Sequence, residues 1–165
     1  DGLRRKDAEL IKKYDELAQS IFIDMFGDPV TNTKSWEKLP MHKIGTVKTG
    51  NTPSRANKKF YGNHIEWIKT DNIKMDSIYP ANASEYLSQD GLNVGRYVEQ
   101  DSILVTCIAG SANTIGNIVL TDRKVAFNQQ INSLTPNENY EPLFIYFLFK
   151  LIIKQRNKTQ KSTTN

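Results

Sequence analysis

An apolar stripe with heptad spacing runs through the N-terminal part of the chain and stops at Phe26-Gly27-Asp28-Pro29. Leu10, Tyr14, Leu17 and Ile21 follow the a/d pattern of a coiled coil. The glycine of the junction suits a helix C-terminal cap, and the proline prevents the helix from continuing. Because an isolated helix of this composition is marginal in water, the stripe predicts packing on a partner helix. Packing on the chain's own domain is the alternative.

Beyond the junction the pattern changes to short β-type runs. Turn residues separate five predicted strands, at 44–49, 65–69, 102–108, 117–120 and 130–134. A short helical turn is predicted at 88–92, and a largely apolar stretch from Pro142 to Gln155 predicts a buried helix. We therefore predict the α+β class, with a long N-terminal coiled-coil-type helix followed by a compact mixed α/β domain.

The same pattern predicts how the chain is divided. We expect four segments, namely a helix at 1–29, a linker at 30–35, a globular domain at 36–156 and a polar tail at 157–165. Trp67 lies in a predicted strand and is expected to pack in the core of the globular domain.

Composition favours a cytoplasmic protein. No apolar run reaches the roughly 18 residues needed to span a membrane, and the charged N-terminus does not resemble a signal peptide. Cys107 is the single cysteine, which excludes an internal disulfide and suits a reducing compartment. We expect this cysteine to be buried in an apolar strand.

Positive charge is concentrated in two blocks. Residues 34–74 carry nine Lys or Arg against three Asp or Glu, a net charge of +6, and residues 150–161 carry five basic and no acidic residues. The whole chain has a net charge of +4, so these blocks are a candidate surface for phosphate groups. On charge alone, a solvated surface of mixed sign is an equal alternative.

A search for catalytic and metal-binding motifs is negative. His42 and His64 lack the spacing of metal ligands, and a single cysteine argues against a structural zinc site. The glycine-bounded segment 110–116 lacks the Gly-Lys-Ser/Thr of a phosphate-binding P-loop. We therefore expect no catalytic residues, metal or cofactor, and a binding role rather than an enzymatic one.

The polar loops after the predicted strands carry the positive signal. Residues 49–55 group hydroxyls, an amide and a guanidinium, and Lys58 and Lys59 follow. Such groups bind phosphate oxygens, while Arg and Asn read purine edges. Taken alone, this loop is explained equally well as an ordinary surface hairpin. For the amides at 128–130, and at least for Gln129, we favour a structural role at buried backbone groups.

Several motifs together resemble the specificity (S) subunit of Type I restriction-modification enzymes. The motifs are residues 18–29, Trp36-Glu-Lys-Leu39, Gly50-Asn-Thr-Pro-Ser54, Tyr61-Gly62, Trp67-Ile68, residues 103–108, Gly116 and residues 128–131. The resemblance covers nearly the whole chain. Its most specific part is the junction at 26–29 combined with Gly-x-Thr-Pro-Ser.

The resemblance implies a DNA target-recognition domain at 36–156 and a conserved spacer or dimerisation helix at 1–29. Each recognition domain of the family reads half of a bipartite double-stranded DNA site. The spacer helices dock methyltransferase (M) subunits, and restriction (R) subunits join through the complex. Methyl transfer and ATP-driven cleavage would belong to those partners. This chain would be the end of the central helix plus one recognition domain, as a fragment or a half-subunit that stops before the distal helix.

Residue roles are expectations that rest on this resemblance. We expect phosphate contacts from Lys58, Lys59, Lys69 and Lys74. The base-edge candidates are Asn51, Thr52, Arg55, Asn72 and Asn113, and the other DNA-binding candidates are Ser54, Thr70 and Ser111. Leu10, Tyr14, Leu17 and Ile21 are expected to contact a partner helix, with self-association as a second use of the stripe.

Two other function classes stay open at this point. The first is a standalone DNA endonuclease or methyltransferase fragment, although the absence of an Asn-Pro-Pro-Tyr-like motif and of a glycine-rich cofactor motif argues against a methyltransferase. The second is a protein-interaction module whose basic loops only increase solubility. Duplex binding that weakens steeply with salt would distinguish DNA recognition from the interaction module.

Overall fold

Two units make up the fold of the chain, which we describe from a computed structural model. The structure describes the backbone of residues 2–108 and 114–162, and the side chains of residues 5–7, 9–108 and 114–157. The first unit comprises Asp1–Lys38 and Phe147–Asn165, and the second comprises Leu39–Tyr146.

Two long helices dominate the first unit. They are α1, Gly2–Phe26, and the part of α4, Pro142–Ser162, that begins at Phe147. The prediction ended α4 at Gln155 and assigned a tail from residue 157, but the helix continues to Ser162. The added residues are polar in sequence and have no apolar periodicity from which a helix could be predicted.

Aromatic rings form the apolar part of the contact between α1 and α4. Phe22 is buried, and its ring centroid lies 4.9 Å from that of Phe26 and 6.5 Å from that of Phe147. The predicted heptad stripe did not include Phe22 or Phe26. Fully burying a side chain of this size contributes about 1.5–3 kcal/mol, so the burial of Phe22 stabilises the helix pair.

A charged contact supports the same pair of helices. Asp15 accepts a hydrogen bond from Lys154, and its carboxylate lies 2.9 Å from the Lys150 ammonium. The Lys150 side chain is only 4% exposed. Partial burial by itself would raise the pKa of Asp15, but the hydrogen bonds from Lys154 and Lys150 hold it below its ordinary value. The Asp15 carboxylate is therefore ionised in the folded protein, where it pairs with two ammonium groups.

The heptad stripe lies on another side of α1 and is exposed. Leu10, Tyr14, Leu17 and Ile21 are each between 49% and 62% exposed. At about 100° per residue, the stripe is centred roughly 140° around the helix from the face that contacts α4. The helix therefore packs on its own chain through one face and leaves a second apolar face in solvent.

The end of α1 follows the sequence prediction. Gly27 has a φ of 83° and donates its N–H to the Ile23 carbonyl at 2.7 Å, which is a glycine cap. Asp28 then accepts the Val30 N–H at 2.8 Å and closes a turn. This hydrogen bond, against a smaller opposing effect of burial, lowers the pKa of Asp28. The Trp36 indole N–H reaches back to the Phe26 carbonyl at 2.7 Å.

Within its described residues, the second unit contains two four-stranded sheets. The strands are β1 Gly45–Thr49, β2 Tyr61–Ile68, β3 Tyr86–Leu87, β4 Tyr97–Val98, β5 Ile103–Thr106, β6 Ile118–Leu120, β7 Val125–Phe127 and β8 Ile131–Pro136. The first sheet has the order β1-β8-β5-β6 and is antiparallel. The second has the order β3-β2-β7-β4, with β2 and β7 parallel. Strands β1 and β4 therefore each lie at an edge.

The core of the second unit contains residues from both sheets. Ile68 and Phe127 of the second sheet share one buried cluster with Leu104, Val119 and Ile131. The next residues along the strands, such as Trp67, point the other way, because side chains alternate along a strand. Trp67 belongs to a separate buried cluster and is 2% exposed. Its expected core position is confirmed.

The strand prediction is right for five strands and misses three. The missed strands β3, β4 and β7 have two or three residues each, which is too short for a visible alternation. Two short helices accompany the sheets, α2 Met41–Ile44, which was not predicted, and α3 Gln89–Val94, which was predicted as a turn.

Two further local expectations are wrong. The second strand was predicted to begin at residue 65, but β2 begins at Tyr61, beside a bulge opposite Leu87. Cys107 is exposed, because β5 ends one residue earlier. Across the part of the chain that is described, none of the helices is both long and apolar enough to cross a membrane.

Replacing Asp15 by Asn should destabilise the helix pair. Its negative charge faces Lys150 and Lys154, and losing hydrogen bonds to charged groups costs roughly 1.5–3 kcal/mol. Chemical denaturation at neutral pH measures this loss. Glu16→Gln is the control, since its contact to Lys12 is 3.8 Å and exposed, and it should change stability by less than about 1 kcal/mol. Equal effects of the two changes would contradict the role of Asp15.

The Asp15 contribution should also depend on pH. A carboxylate whose folded-state pKa is lowered stabilises the fold above its unfolded-state pKa, about 3.9, and this stabilisation is lost as the pH falls through the folded value. The stability difference between wild type and Asp15→Asn should therefore shrink on acidification. A difference that is unchanged at acidic pH would argue against the ion pair.

Candidate nucleic-acid interface

Three loops of the second unit meet where β1 and β7 end, and we refer to residues 50–55, 94–96 and 128–130 as the loop cluster. The Gly50 N–H donates to the Ile131 carbonyl at 3.0 Å, and the Asn51 N–H donates to the Phe127 carbonyl at 3.1 Å. A Cβ at Gly50 would overlap the Asn128 carbonyl oxygen. Only glycine therefore allows the first loop to lie this close to the third.

Asn51 connects the first loop to the second. Its side-chain amide donates to the Val94 carbonyl at 2.9 Å and accepts the Arg96 N–H at 2.8 Å. Its own carbonyl accepts the Trp67 indole N–H at 3.3 Å. Main-chain groups therefore hydrogen bond to both the nitrogen and the oxygen of this side-chain amide. Its arrangement supports a role in positioning the loops, and its base contact stays a prediction.

Thr52 connects the first loop to the third. Its hydroxyl is exposed and hydrogen bonds to the Gln129 side chain, which is exposed as well. The structural role that we favoured for Gln129 belongs instead to Asn128, which is 5% exposed. Its side-chain amide donates to the Gln130 side chain at 3.0 Å and accepts the Gln130 main-chain N–H at 3.2 Å. Thr52 and Gln129 together form a polar pair at the surface of the cluster.

Arg55 lies over an aromatic surface and is paired with an acid. Its guanidinium carbon is 4.5 Å from the centre of the Tyr61 ring and 5.0 Å from that of Trp67. Glu85 lies 2.7 Å from this guanidinium and also bonds to Lys69. The hydrogen bond from Lys69, with a smaller one from Arg55, outweighs burial and lowers the pKa of Glu85. This acid, which the sequence analysis missed, offsets much of the charge of both predicted DNA contacts.

The structure places Asn72 in the interior rather than at the surface. It is 7% exposed, accepts the Lys69 N–H at 2.9 Å and donates to the Asn82 carbonyl at 3.0 Å. The adjacent Thr70 is half-buried. The amide of Asn72 therefore stabilises its own loop, as buried polar groups generally do, and this arrangement does not favour a base contact.

The other predicted DNA contacts are exposed where they are described. Ser54, Lys58, Lys59 and Lys74 are exposed, and within the described side chains none of the three lysines forms an ion pair. Lys58 and Lys59 lie on a short 3₁₀ turn that Asn57 caps by accepting the Lys59 N–H at 3.2 Å. The predicted contacts Ser111 and Asn113 lie outside the described residues.

The second basic block of the sequence is partly used inside the fold. Lys150 and Lys154 both bind Asp15, so these two residues are not positioned as a phosphate-facing surface. The expectation for residues 150–161 is wrong for them, because a helix brings two cations spaced by four residues onto one face, and that face meets α1.

Sequence reasoning also missed a group of cations around Tyr97. Lys48 and Lys124 lie 5.7 Å and 4.1 Å from the centre of the Tyr97 ring, and Arg96 precedes it. The one available signal was the position of Lys48 in a predicted strand whose residues are mostly polar. Arg96 and Lys124 are far from it in sequence. The pairing of β4 with β7 brings Lys124 close to Tyr97, and Lys48 reaches Tyr97 from β1, a strand of the other sheet.

Residues 33–165 match the protein family described as Type I restriction modification DNA specificity domain. Over 119 residues the chain is 32% identical to the Type I restriction enzyme HindI specificity subunit of Haemophilus influenzae, which covers 71% of this chain and 25% of that protein. Over 130 residues it is 29% identical to the EcoprrI specificity subunit of Escherichia coli, covering 78% and 31%. The chain thus spans about a quarter to a third of the length of these relatives.

Solved structures show the same fold at low sequence identity. The HsdS subunit from Thermoanaerobacter tengcongensis superposes with a TM-score of 0.61 and 13% identity, covering 93% of this chain and 37% of that one. A chain from work on complex assembly and conformational transition of the type I R-M system gives a TM-score of 0.62 and 14% identity, covering 96% and 38%. The α+β prediction is confirmed by this likeness.

Replacing Asn51 by Ala should destabilise the second unit. The Val94 carbonyl and the Arg96 N–H lose their side-chain partner, and each net hydrogen bond contributes roughly 0.5–1.5 kcal/mol. Thermal or chemical unfolding measures the loss. Ser54→Ala is the matched control on the same loop, because its exposed side chain should contribute within about 0.5 kcal/mol. A stability of Asn51→Ala equal to that of Ser54→Ala would exclude the positioning role.

Proposed function

The chain belongs to the family of Type I restriction modification DNA specificity domains, and we propose that it recognises one half of a bipartite double-stranded DNA target. The family match over residues 33–165 carries this proposal. It includes the whole loop cluster and the basic turn at 58–60. In the proposal this domain acts within a longer specificity subunit or a half-subunit.

Exposed cations near the loop cluster support DNA as the ligand. Lys58 and Lys59 would neutralise phosphates and fix the register of the domain on the duplex, while side chains of the loops would read base edges. Thr52, Ser54 and Arg55 are exposed, and stacking on two aromatic rings limits where the Arg55 guanidinium can point. A good bidentate contact of this kind discriminates between bases by about 1–3 kcal/mol.

The exposed stripe of α1 supports a helical partner in the same proposal. Four apolar side chains at coiled-coil spacing, each about half exposed, need cover in an assembly. We assign this cover to a helix of the methyltransferase subunits or of a second specificity segment. Methyl transfer and DNA cleavage are assigned to the methyltransferase and restriction subunits, so this domain contributes recognition and no catalytic residue.

Salt dependence of duplex binding tests DNA recognition. Affinity for a fluorescent duplex should fall steeply between about 50 and 200 mM salt, because bound phosphates release counterions. Replacing both Lys58 and Lys59 by Gln should reduce the slope of log K against log salt by about two. The control, Arg5→Gln with Lys12→Gln, removes the same charge from two cations that are ion-paired on α1. Failure to bind any duplex at low salt, even with the methyltransferase subunit present, would refute the proposal.

Replacing Leu10 and Leu17 by Asp tests the helix. Copurification with the methyltransferase subunit, or self-association measured by light scattering, should be lost, because the charges lie in the apolar contact. The unfolding transition of residues 39–146 should hardly change. Ser20→Asp is the control, since Ser20 is exposed on α1 and is not part of the stripe. If every association survives the Leu10 and Leu17 changes, the stripe is not the contact surface.

A further inference from the structure

An open depression lies between the edges of the two sheets in the second unit. It has a volume of about 490 Å³ and is lined by Val47, Lys48, Thr49, Gly95, Arg96 and Tyr97. The first three residues belong to β1, the edge strand of the first sheet. The other three lead into β4, the edge strand of the second sheet. Strand β1 and the segment that leads into β4 therefore form the walls of the depression, so these walls do not consist of flexible side chains alone.

Two cations of this depression bind main-chain oxygens on its opposite wall. The Lys48 ammonium donates to the Tyr97 carbonyl at 3.4 Å, and the Arg96 guanidinium donates to the Thr49 carbonyl at 2.6 Å. Lys48 also lies 5.7 Å from the centre of the Tyr97 ring. These contacts hold both charged groups beside the depression, and each group carries further donors for a ligand.

The charge of these two cations is not neutralised by the described side chains. Lys48 and Arg96 are exposed, and neither has a carboxylate within ion-pair distance in the part of the chain that is described. In contrast, Arg55 and Lys69 share Glu85, and Arg123 is paired with Glu66. The depression is therefore more attractive to an anion than several of the basic residues that the sequence analysis singled out.

The depression is continuous with the loop cluster. Asn51 accepts the Arg96 N–H, so the residue that fixes the first loop also fixes the main chain at Arg96. Gly95 is tightly packed, since a Cβ there would lie 2.8 Å from the Gly91 carbonyl oxygen. A phosphate bound by Arg96 would thus be held at a set position relative to any base read by Thr52.

We propose that this depression binds the phosphodiester backbone of the DNA duplex next to the recognised half-site, through Lys48 and Arg96. The inference rests on the proposed function. An open depression with two cations suits an extended polyanion, whereas small-molecule sites are more enclosed and mostly apolar. The contacts set the register of the loop cluster on the duplex, as phosphate contacts do in other DNA-binding proteins.

The test is the salt dependence of duplex binding by the full chain with Lys48→Gln and Arg96→Gln. Loss of two phosphate contacts should reduce the slope of log K against log salt by about two, because each contact contributes about 0.9. The conservative pair, Lys48→Arg and Arg96→Lys, should keep the slope. Arg5→Gln with Lys12→Gln removes the same net charge elsewhere and should also keep it.

The outcomes separate this inference from the proposed function. If the wild type binds duplex with a steep salt slope and the Gln variant keeps that slope, the depression is not the phosphate site, although DNA recognition stands. The same holds if the α1 control lowers the slope equally, because the effect then follows net charge. If Arg96→Gln unfolds the protein, the single change Lys48→Gln, which should lower the slope by about one, decides the question.

Discussion

The close approach of Gly50 to the main chain at Phe127 and Asn128 is the contact on which the recognition surface depends. It joins the end of β1 in the first sheet to the end of β7 in the second. Asn51 can then reach the loop before β4, and Thr52 can reach Gln129. A side chain at position 50 would separate these loops, and the polar groups that the proposed function needs would no longer lie together.

The basic residues that the structure describes fall into two groups, those that are paired with a carboxylate of the chain and those that are not, and their formal charge is the same. Arg55 and Lys69 are paired with Glu85, and Lys150 and Lys154 with Asp15, so a carboxylate of the chain already neutralises part of their charge. Among the described residues, Lys48 and Arg96 hydrogen bond to main-chain oxygens and have no carboxylate partner, and Lys58 and Lys59 are exposed. The second group is the one available to a polyanion, because a phosphate need not displace a carboxylate from it.

Much of the fold was predictable where the pattern was long. Helix α1, its glycine cap and the buried Trp67 all follow from spacing and residue type. Strands of two or three residues, such as β4, escaped prediction because alternation needs more residues to be visible. In the candidate site, the first loop was identified from its polar composition. The roles of Asn51 and Asn72 were not identified, because the sequence does not show whether main-chain groups hydrogen bond to an asparagine side chain.

The sequence alone determined the class of fold, the end of α1 at Gly27 and the family. These features depend on local patterns and on motifs that are contiguous in the chain. Only the tertiary structure decided which face of α1 packs on α4, which cations Glu85 and Asp15 neutralise, and that Lys48 lies beside Arg96. The physical reason is that charge pairing and burial depend on distance in space, and residues separated by tens of positions are brought together by the packing of helices and strands rather than by any local signal.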